Sequence, residues 1–267
     1  MLPVTDRLSN LPYWLLAAIL LAIIFMWGIA NDQDYRIIFG AVLKGVWTTI
    51  YVSVTTFSLA IVLGLLLALL RIYPNRITQQ LATFYIEIVR GIPMLVLLYY
   101  ISFVGAPGLV GGLNMLAAPL IDAELMGEIQ VRQVDFTARA ILALTIGYSA
   151  FIAEIFRAGI QSIEKEQTEA AQMTGATYWQ TMRYIIIPQA VRNILPALGN
   201  EFIAVLKDSS LVSVLGVQDI TQLGKVYSAS TFKFFETYNI VAFLYLVMTT
   251  GLAIFIRFIE KRLKLTQ

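Results

Sequence analysis

Side chains able to do chemistry are sparse in this sequence, and a group of them falls within one apolar stretch. Between about Ile194 and Val217 stand Asn200, Glu201, Lys207, Asp208, Ser209 and Ser210. A charge at a bilayer centre costs about 2.5–3.5 kcal/mol on insertion scales, so a spanning helix must turn such groups toward protein or water. Glu201 and Asp208 are seven positions apart, which puts them within roughly 20° on one helical face. Asn200 and Lys207 have the same spacing and share the neighbouring face. A carboxylate on a water-lined face can pair with the ammonium group of an amino acid or with a basic side chain. Glu201 suits that role: Asn200 is a polar neighbour, Gly199 leaves room for a ligand near the backbone, and no cation lies within one turn. The competing reading is structural, with Lys207 neutralised by a carboxylate and Ser209 and Ser210 capping backbone groups where the helix is interrupted. A Ser–Lys hydrolase would need Lys207 beside Ser209 or Ser210, and residues two or three positions on are poorly placed for that. A self-sufficient ion-coupled carrier or channel would instead use Glu154, Glu201, Lys207 and Asp208 as ion or proton sites. The chain contains no Cys and no His, which excludes disulfides, Cys/His zinc sites, His-ligated haem and Cys–His or Ser–His catalysis.

A second informative segment runs from Ser162 to Pro188. Good helix formers extend to Thr174, with Glu164, Glu166 and Glu169 in the early turns, where they complement the helix dipole. Gly175 fits the left-handed position that ends a helix. Thr177 and Gln180 match a capping box that starts the next helix, and Pro188 is expected to end it. Ala170 and Ala171 give a small-residue face that another surface could approach closely. An ordinary amphipathic helix on a membrane surface would account for the same composition.

The elements that must position these residues follow from composition. The 267 residues are 58% hydrophobic and only 13% charged, about half the charge of a soluble domain. That excludes a soluble enzyme, a nucleic-acid reader and a disordered tail. About 20 apolar residues are needed to cross roughly 30 Å of hydrocarbon. Leu11–Ala30, Gly45–Leu70, Ile92–Val104, Ala138–Arg157, Ile194–Val217 and Tyr238–Ile256 meet or approach that length. Gly105–Thr137 is expected to be re-entrant or irregular outer structure. The first stretch reads as an uncleaved span, too long for a signal-peptide core and followed by Asn31-Asp32 without a small-x-small site. With the N-terminus inside, twelve of the nineteen Lys and Arg residues fall on inner segments and six on outer ones. The positive-inside rule therefore puts both termini in the cytoplasm. No internal repeat is visible, unlike many secondary transporters.

Glu169-Ala170-Ala171, three residues, Gly175, nine residues, then Ile185-x-Ile187-Pro188 resembles the cytoplasmic loop motif of membrane subunits of bacterial ABC importers. There the last aliphatic is usually Leu, and here it is Ile187. Ile88-Val-Arg90-Gly91-Ile-Pro93, Ala153-Glu154 through Ile163, Leu198-Gly199-Asn200-Glu201-Phe202 and Leu206-Lys207-Asp208 through Ser213 are similar to the polar amino acid uptake permeases. The resemblance covers roughly 48–264.

It implies an all-α integral membrane protein of about six transmembrane helices. A five-span type I ABC importer core in residues 41–267 would be joined to an extra N-terminal span and outer loop in residues 1–40. The coupling loop would lie at 162–192. The chain would be a transport subunit of the bacterial inner membrane, not an enzyme, forming the path for polar amino acids. It would pair with a second permease subunit, identical or paralogous. An extracytoplasmic binding protein would deliver substrate, and a separate ATPase would carry ATP and Mg. The chain itself binds no cofactor on this reading and holds no metal. No Gly-x4-Gly-Lys-Ser/Thr occurs, since Gly224-Lys225 is followed by Val226. Glu169, Ala170, Ala171 and Gly175 would couple to the ATPase. Glu201, Asn200, Asp208 and Ser209 would line the substrate path.

Overall fold

A computed structural model describes residues 13–264. Arg7 and the first two residues of the expected first span lie outside the described residues. All regular structure among the described residues is helical. In chain order the helices are α1 (Tyr13–Asn31), α2 (Gln33–Leu43), α3 (Gly45–Ile72), α4 (Arg76–Gly91), α5 (Met94–Tyr100), α6 (Ala106–Asp122), α7 (Phe136–Gln161), α8 (Lys165–Met173), α9 (Tyr178–Thr181), α10 (Ile187–Asp208), α11 (Ile220–Thr231) and α12 (Phe234–Lys264). Four stretches among the described residues have the length and hydropathy to cross a membrane: Gln33–Ile72, Met94–Asp122, Phe136–Gln161 and Phe234–Arg262. The expected fifth span corresponds to α10, which carries Arg192, Glu201, Lys207 and Asp208.

The chain forms two compact units. One comprises residues up to Thr48 with Gln218–Gly251; the other comprises Thr49–Val217 with the residues from Leu252 on. In the first, Ile38 and Val42 of α2 are fully buried with Ile220 and Ile240. The residues between the first two expected spans read as outer loop, yet most of them form α2. Asp32 starts it, accepting a 2.8 Å bond from the Asp34 amide, so the segment gains an N-cap and one buried apolar face. Asp219 caps α11 in the same way, through the Gln222 amide at 2.8 Å.

The second unit is built around α7. The most apolar part of α7 is 67% buried, against 22–39% for the other three spanning stretches. Helices in lipid gain nothing from hiding apolar surface, so close backbone packing must hold them, and that favours small residues. Helix α7 supplies Ala140, Ala143, Ser149, Ala150 and Ala153, all buried. Leu144, Tyr148 and Ile152 pack with Val52, Leu98, Val205 and Val212.

Two expected breaks are continuous helix. The stretch after Val104 is not irregular: α5 continues through a π turn, Ile101–Gly105, into α6 as far as Asp122. A proline offers no amide to the preceding turn, and the widened turn just before Pro107 absorbs that loss. Only 123–135 departs from long helix. There Asn114 bridges the backbone of Ile129 in both directions, at 2.8 and 3.0 Å. Pro188 likewise does not end a helix. A π turn, Met182–Ile186, precedes it, and α10 runs on through Pro196 to Asp208.

Candidate functional site

The segment between α7 and α10 turns at a glycine: short helix α8 ends there, and α9 beyond it runs through the π turn into α10. Gly175 has φ +82°. Its amide donates to the Gln172 carbonyl at 2.9 Å, and the Ala176 amide donates to Ala171 at 3.1 Å. These two bonds form a Schellman motif, which leaves few carbonyls of α8 unsatisfied. The capping box also forms: the Thr177 amide donates to Gln180 Oε1 at 2.8 Å, and the Gln180 amide donates to Thr177 Oγ1 at 3.4 Å. Two side-chain bonds tie the segment to α10, from Gln189 to Gln167 at 2.6 Å and from Asn193 to the Ser162 hydroxyl at 2.9 Å.

The paired alanines divide. Ala170 is exposed, whereas Ala171 is 5% exposed and faces the chain's own interior. Glu169 and Gly175 are exposed as well. The sequence reading missed the apolar surface beside them, where Met173, Tyr178, Trp179 and Tyr184 are each 65–90% exposed. The signal was available, because Tyr-Trp occupies the first turn of a helix that the capping box had already located. Side chains of that size left uncovered on a tied-down loop mark an interaction surface.

The second constellation lies on α10. A groove of about 650 Å³ is lined from α10 by Asn200, Lys207 and Asp208 and from α12 by Arg257 and Glu260. It thus carries groups of both signs. Asp208 accepts a 2.8 Å hydrogen bond from the Tyr148 hydroxyl of α7. Glu201 is half-buried and shares the helical face of Asp208, seven positions on. Lys207 is exposed and forms no ion pair among the described residues. The carboxylate expected to neutralise it is therefore not in place. Ser209 lies apart from the groove, fully buried with its hydroxyl on the Leu206 carbonyl at 2.8 Å. There the chain passes from α10 into a 3₁₀ segment, Ser209–Leu215, so this serine does the capping work of the structural reading.

Gly199 is explained by packing. A Cβ there would sit 2.5 Å from Ile256 Cγ2 of α12. Ile256 is β-branched and yields little. Gly199→Ala is therefore expected to destabilise the detergent-purified protein by about 1–3 kcal/mol. Ile256→Ala should restore much of the loss, which thermal melting of the single and double variants would show. Equal melting of Gly199→Ala and wild type would mean that α10 and α12 do not approach this closely.

The third acidic candidate, Glu154 of α7, is an anchor. It binds Arg71 at 2.7 Å and Arg157 at 2.5 Å, with Arg90 at 3.8 Å. A carboxylate so committed is a poor reversible ion site, which counts against an ion-coupled carrier.

Comparison with known proteins places this geometry. Residues 60–265 match the family described as binding-protein-dependent transport system inner membrane component. The chain belongs to that family. It is a permease subunit of an ABC transporter, and in such systems a separate subunit hydrolyses ATP. The permease is 37% identical over 226 residues to the probable glutamine ABC transporter permease protein GlnM of Bacillus subtilis, covering 85% of this chain and 94% of that one. It is 33% identical over 223 residues to the glutamine transport system permease protein GlnP of Escherichia coli K12, covering 84% and 93%. A chain from the crystal structure of an amino acid ABC transporter with histidines superposes with a TM-score of 0.70 at 35% identity, covering 88% of the permease and 98% of that chain. The fold is that of a type I importer permease.

Proposed function

We propose that the permease forms the translocation path of an ATP-driven importer for polar amino acids, with the groove between α10 and α12 on that path. The carrying observation is the groove's mixed charge. An amino acid presents an ammonium and a carboxylate together, and Asp208, Glu260, Lys207 and Arg257 offer both complements within one space. About 650 Å³ is ample, since small-molecule sites run from roughly 300 to 1,000 Å³. The relatives named for glutamine support a polar amino acid as cargo. Asn200 lines the groove, Glu201 stands next to it in sequence but outside the lining, and Asp208 joins the groove to α7. Ser209 contributes by fixing the end of α10.

On this reading residues 162–192 are the coupling loop. Glu169 and Ala170 present the docking face, Gly175 sets the angle between its two helices, and Ala171 seats it on the permease. An ABC ATPase docks there, and its ATP-driven closure rocks the spans between inward and outward access. A second permease subunit, identical or paralogous, faces the open side of the groove, and an extracytoplasmic binding protein delivers substrate. Residues 1–40 add a span and outer segment to the core in 41–267. Six spans with both termini in the cytoplasm satisfy the bias of basic residues. The decisive experiment is uptake of labelled glutamine, glutamate and arginine by proteoliposomes holding the permease with its ATPase and binding protein. ATP-dependent uptake of one is expected. Uptake by the permease alone under an ion gradient would favour a carrier.

Orientation is tested separately, because the chain has no cysteine of its own. Single cysteines replacing Asn31 and Ala123 should react with an impermeant thiol reagent added outside cells. One replacing Gln172 should react only after lysis. External labelling at Gln172 would invert the topology.

A further inference from the structure

Glu154 stands among more positive charge than it can neutralise. Arg71, Arg90 and Arg157 all lie within 4 Å of this one carboxylate, and their side chains are 20%, 39% and 31% exposed. One anion among three guanidiniums leaves an excess of two positive charges. Arg157 also donates to Gln161, and Arg90 lies over the Phe151 ring at 5.5 Å. Neither contact supplies negative charge. The other acidic group in this neighbourhood, Glu87 on α4, is exposed and forms no ion pair among the described residues. Arg76 adds another exposed cation at the start of α4.

The shape of α4 says what could approach. Its inner face buries Ala82, Ile86 and Val89, and Tyr85 donates to the Ile146 carbonyl at 3.1 Å. Its outer face is also apolar. Ile77, Leu81, Phe84 and Ile88 are spaced four, three and four positions apart and are 69%, 64%, 66% and 46% exposed. That spacing makes one continuous stripe along the helix. A helix with arginines at both ends and an uncovered apolar stripe suits the boundary between headgroups and acyl chains. Guanidinium groups match phosphate oxygens in pairs, and basic pockets between spanning helices hold anionic headgroups.

We propose that Arg71, Arg90 and Arg157 form a binding site for the phosphodiester headgroup of an anionic lipid, whose acyl chains lie along the exposed stripe of α4. The lipid completes the charge balance that Glu154 leaves unfinished and fastens α3, α4 and α7 at one end. This site is separate from the α10–α12 groove and does not depend on which substrate is carried.

The test uses the full chain purified in mild detergent. Phosphatidylglycerol, phosphatidylcholine of the same acyl chains, and inorganic phosphate are added separately. Bound lipid is counted by native mass spectrometry, and thermal stability is measured in parallel. Phosphatidylglycerol should be retained and should raise the melting temperature more than phosphatidylcholine does. Arg90→Gln, which removes the most exposed of the three guanidiniums, should weaken retention about five-fold, the effect of one charge near an anionic surface. Arg192→Gln, outside the cluster, should bind as wild type does. Phe84→Ser keeps every charge and should also weaken retention, so the site remains testable if Arg90→Gln does not fold. Equal retention of the two lipids, or wild-type retention in both Arg90→Gln and Phe84→Ser, would overturn the proposal. Stabilisation by inorganic phosphate equal to that by phosphatidylglycerol would assign the cluster to a free anion and overturn the lipid.

Discussion

Gly175→Val is expected to leave the permease inserted and folded yet uncouple it from its ATPase. The cause is purely conformational. A Cβ at Gly175 would meet nothing within 4 Å, but the residue holds φ +82°. A β-branched residue at positive φ is strained by about 1–3 kcal/mol. The chain relieves that strain by giving up the two Schellman bonds and the angle they set between α8 and α9. A coupling free energy of 1–3 kcal/mol corresponds to roughly 5–150-fold, so substrate-stimulated ATP hydrolysis by the reconstituted complex should fall by that order. Gly175→Asn is the matched control, because Asn adopts the left-handed region readily, and it should keep most of the activity. Ala170→Trp should cause a similar loss by a different route, adding bulk to an exposed face that a partner must approach. Ala171→Trp is unsuited to the purpose, since Ala171 is buried and the bulk would disturb the permease itself. If Gly175→Val and Ala170→Trp both hydrolyse ATP and transport normally, the segment is only a surface helix pair.

The sequence exposed this segment well because its signals are local. A glycine at a helix end, a Thr three residues before a Gln, and early acidic residues each act within one turn. The structure places Gly175, Thr177 and Gln180 as those rules require. The seven-residue spacing of Glu201 and Asp208 also survived, being a property of any helix. What was illegible depends on partners distant in sequence. Gly199 looked like room for a ligand until α12 brought Ile256 against it. Lys207 looked neutralised, yet no carboxylate pairs with it among the described residues. Glu154 is an ion-site candidate only on the carrier reading, and the arginines that hold it come from positions 71, 90 and 157. The stretch after Val104 and Pro188 looked like breaks, because a π turn leaves no residue-type signature that marks it beforehand. Helix α2 is short and sits between two long apolar stretches, so it reads as outer loop, although Asp32 supplies its cap. Local grammar gave the hinges and caps. The pairing of groups across helices had to await the fold.

The other large effect concerns the carboxylates of α10. Glu201→Gln should insert, assemble and hydrolyse ATP at the basal rate, yet lose uptake. Its half-buried carboxylate shares a helical face with Asp208 and lacks an ion-pairing cation among the described residues. Two neighbouring acids without a paired cation repel one another, and a passing ammonium group would relieve that repulsion. Hydrogen bonds to charged groups contribute about 1.5–3 kcal/mol, so losing one at the path should weaken uptake by roughly ten- to a hundred-fold. Asp208 needs a finer test, because it has a structural bond as well. Asp208→Asn keeps an oxygen able to accept from the Tyr148 hydroxyl but removes the charge. Tyr148→Phe removes the hydroxyl and keeps the charge. If Asp208 serves the substrate, Asp208→Asn should lose uptake while Tyr148→Phe transports with modest change. If it serves only to hold α10 against α7, the two variants should lose thermal stability together and transport in proportion to what remains folded. Uptake by the reconstituted complex, set beside basal ATP hydrolysis and the melting temperature, separates these outcomes. Wild-type uptake in Glu201→Gln would take that residue off the path, whereas failure of Glu201→Gln to assemble would make it part of the scaffold.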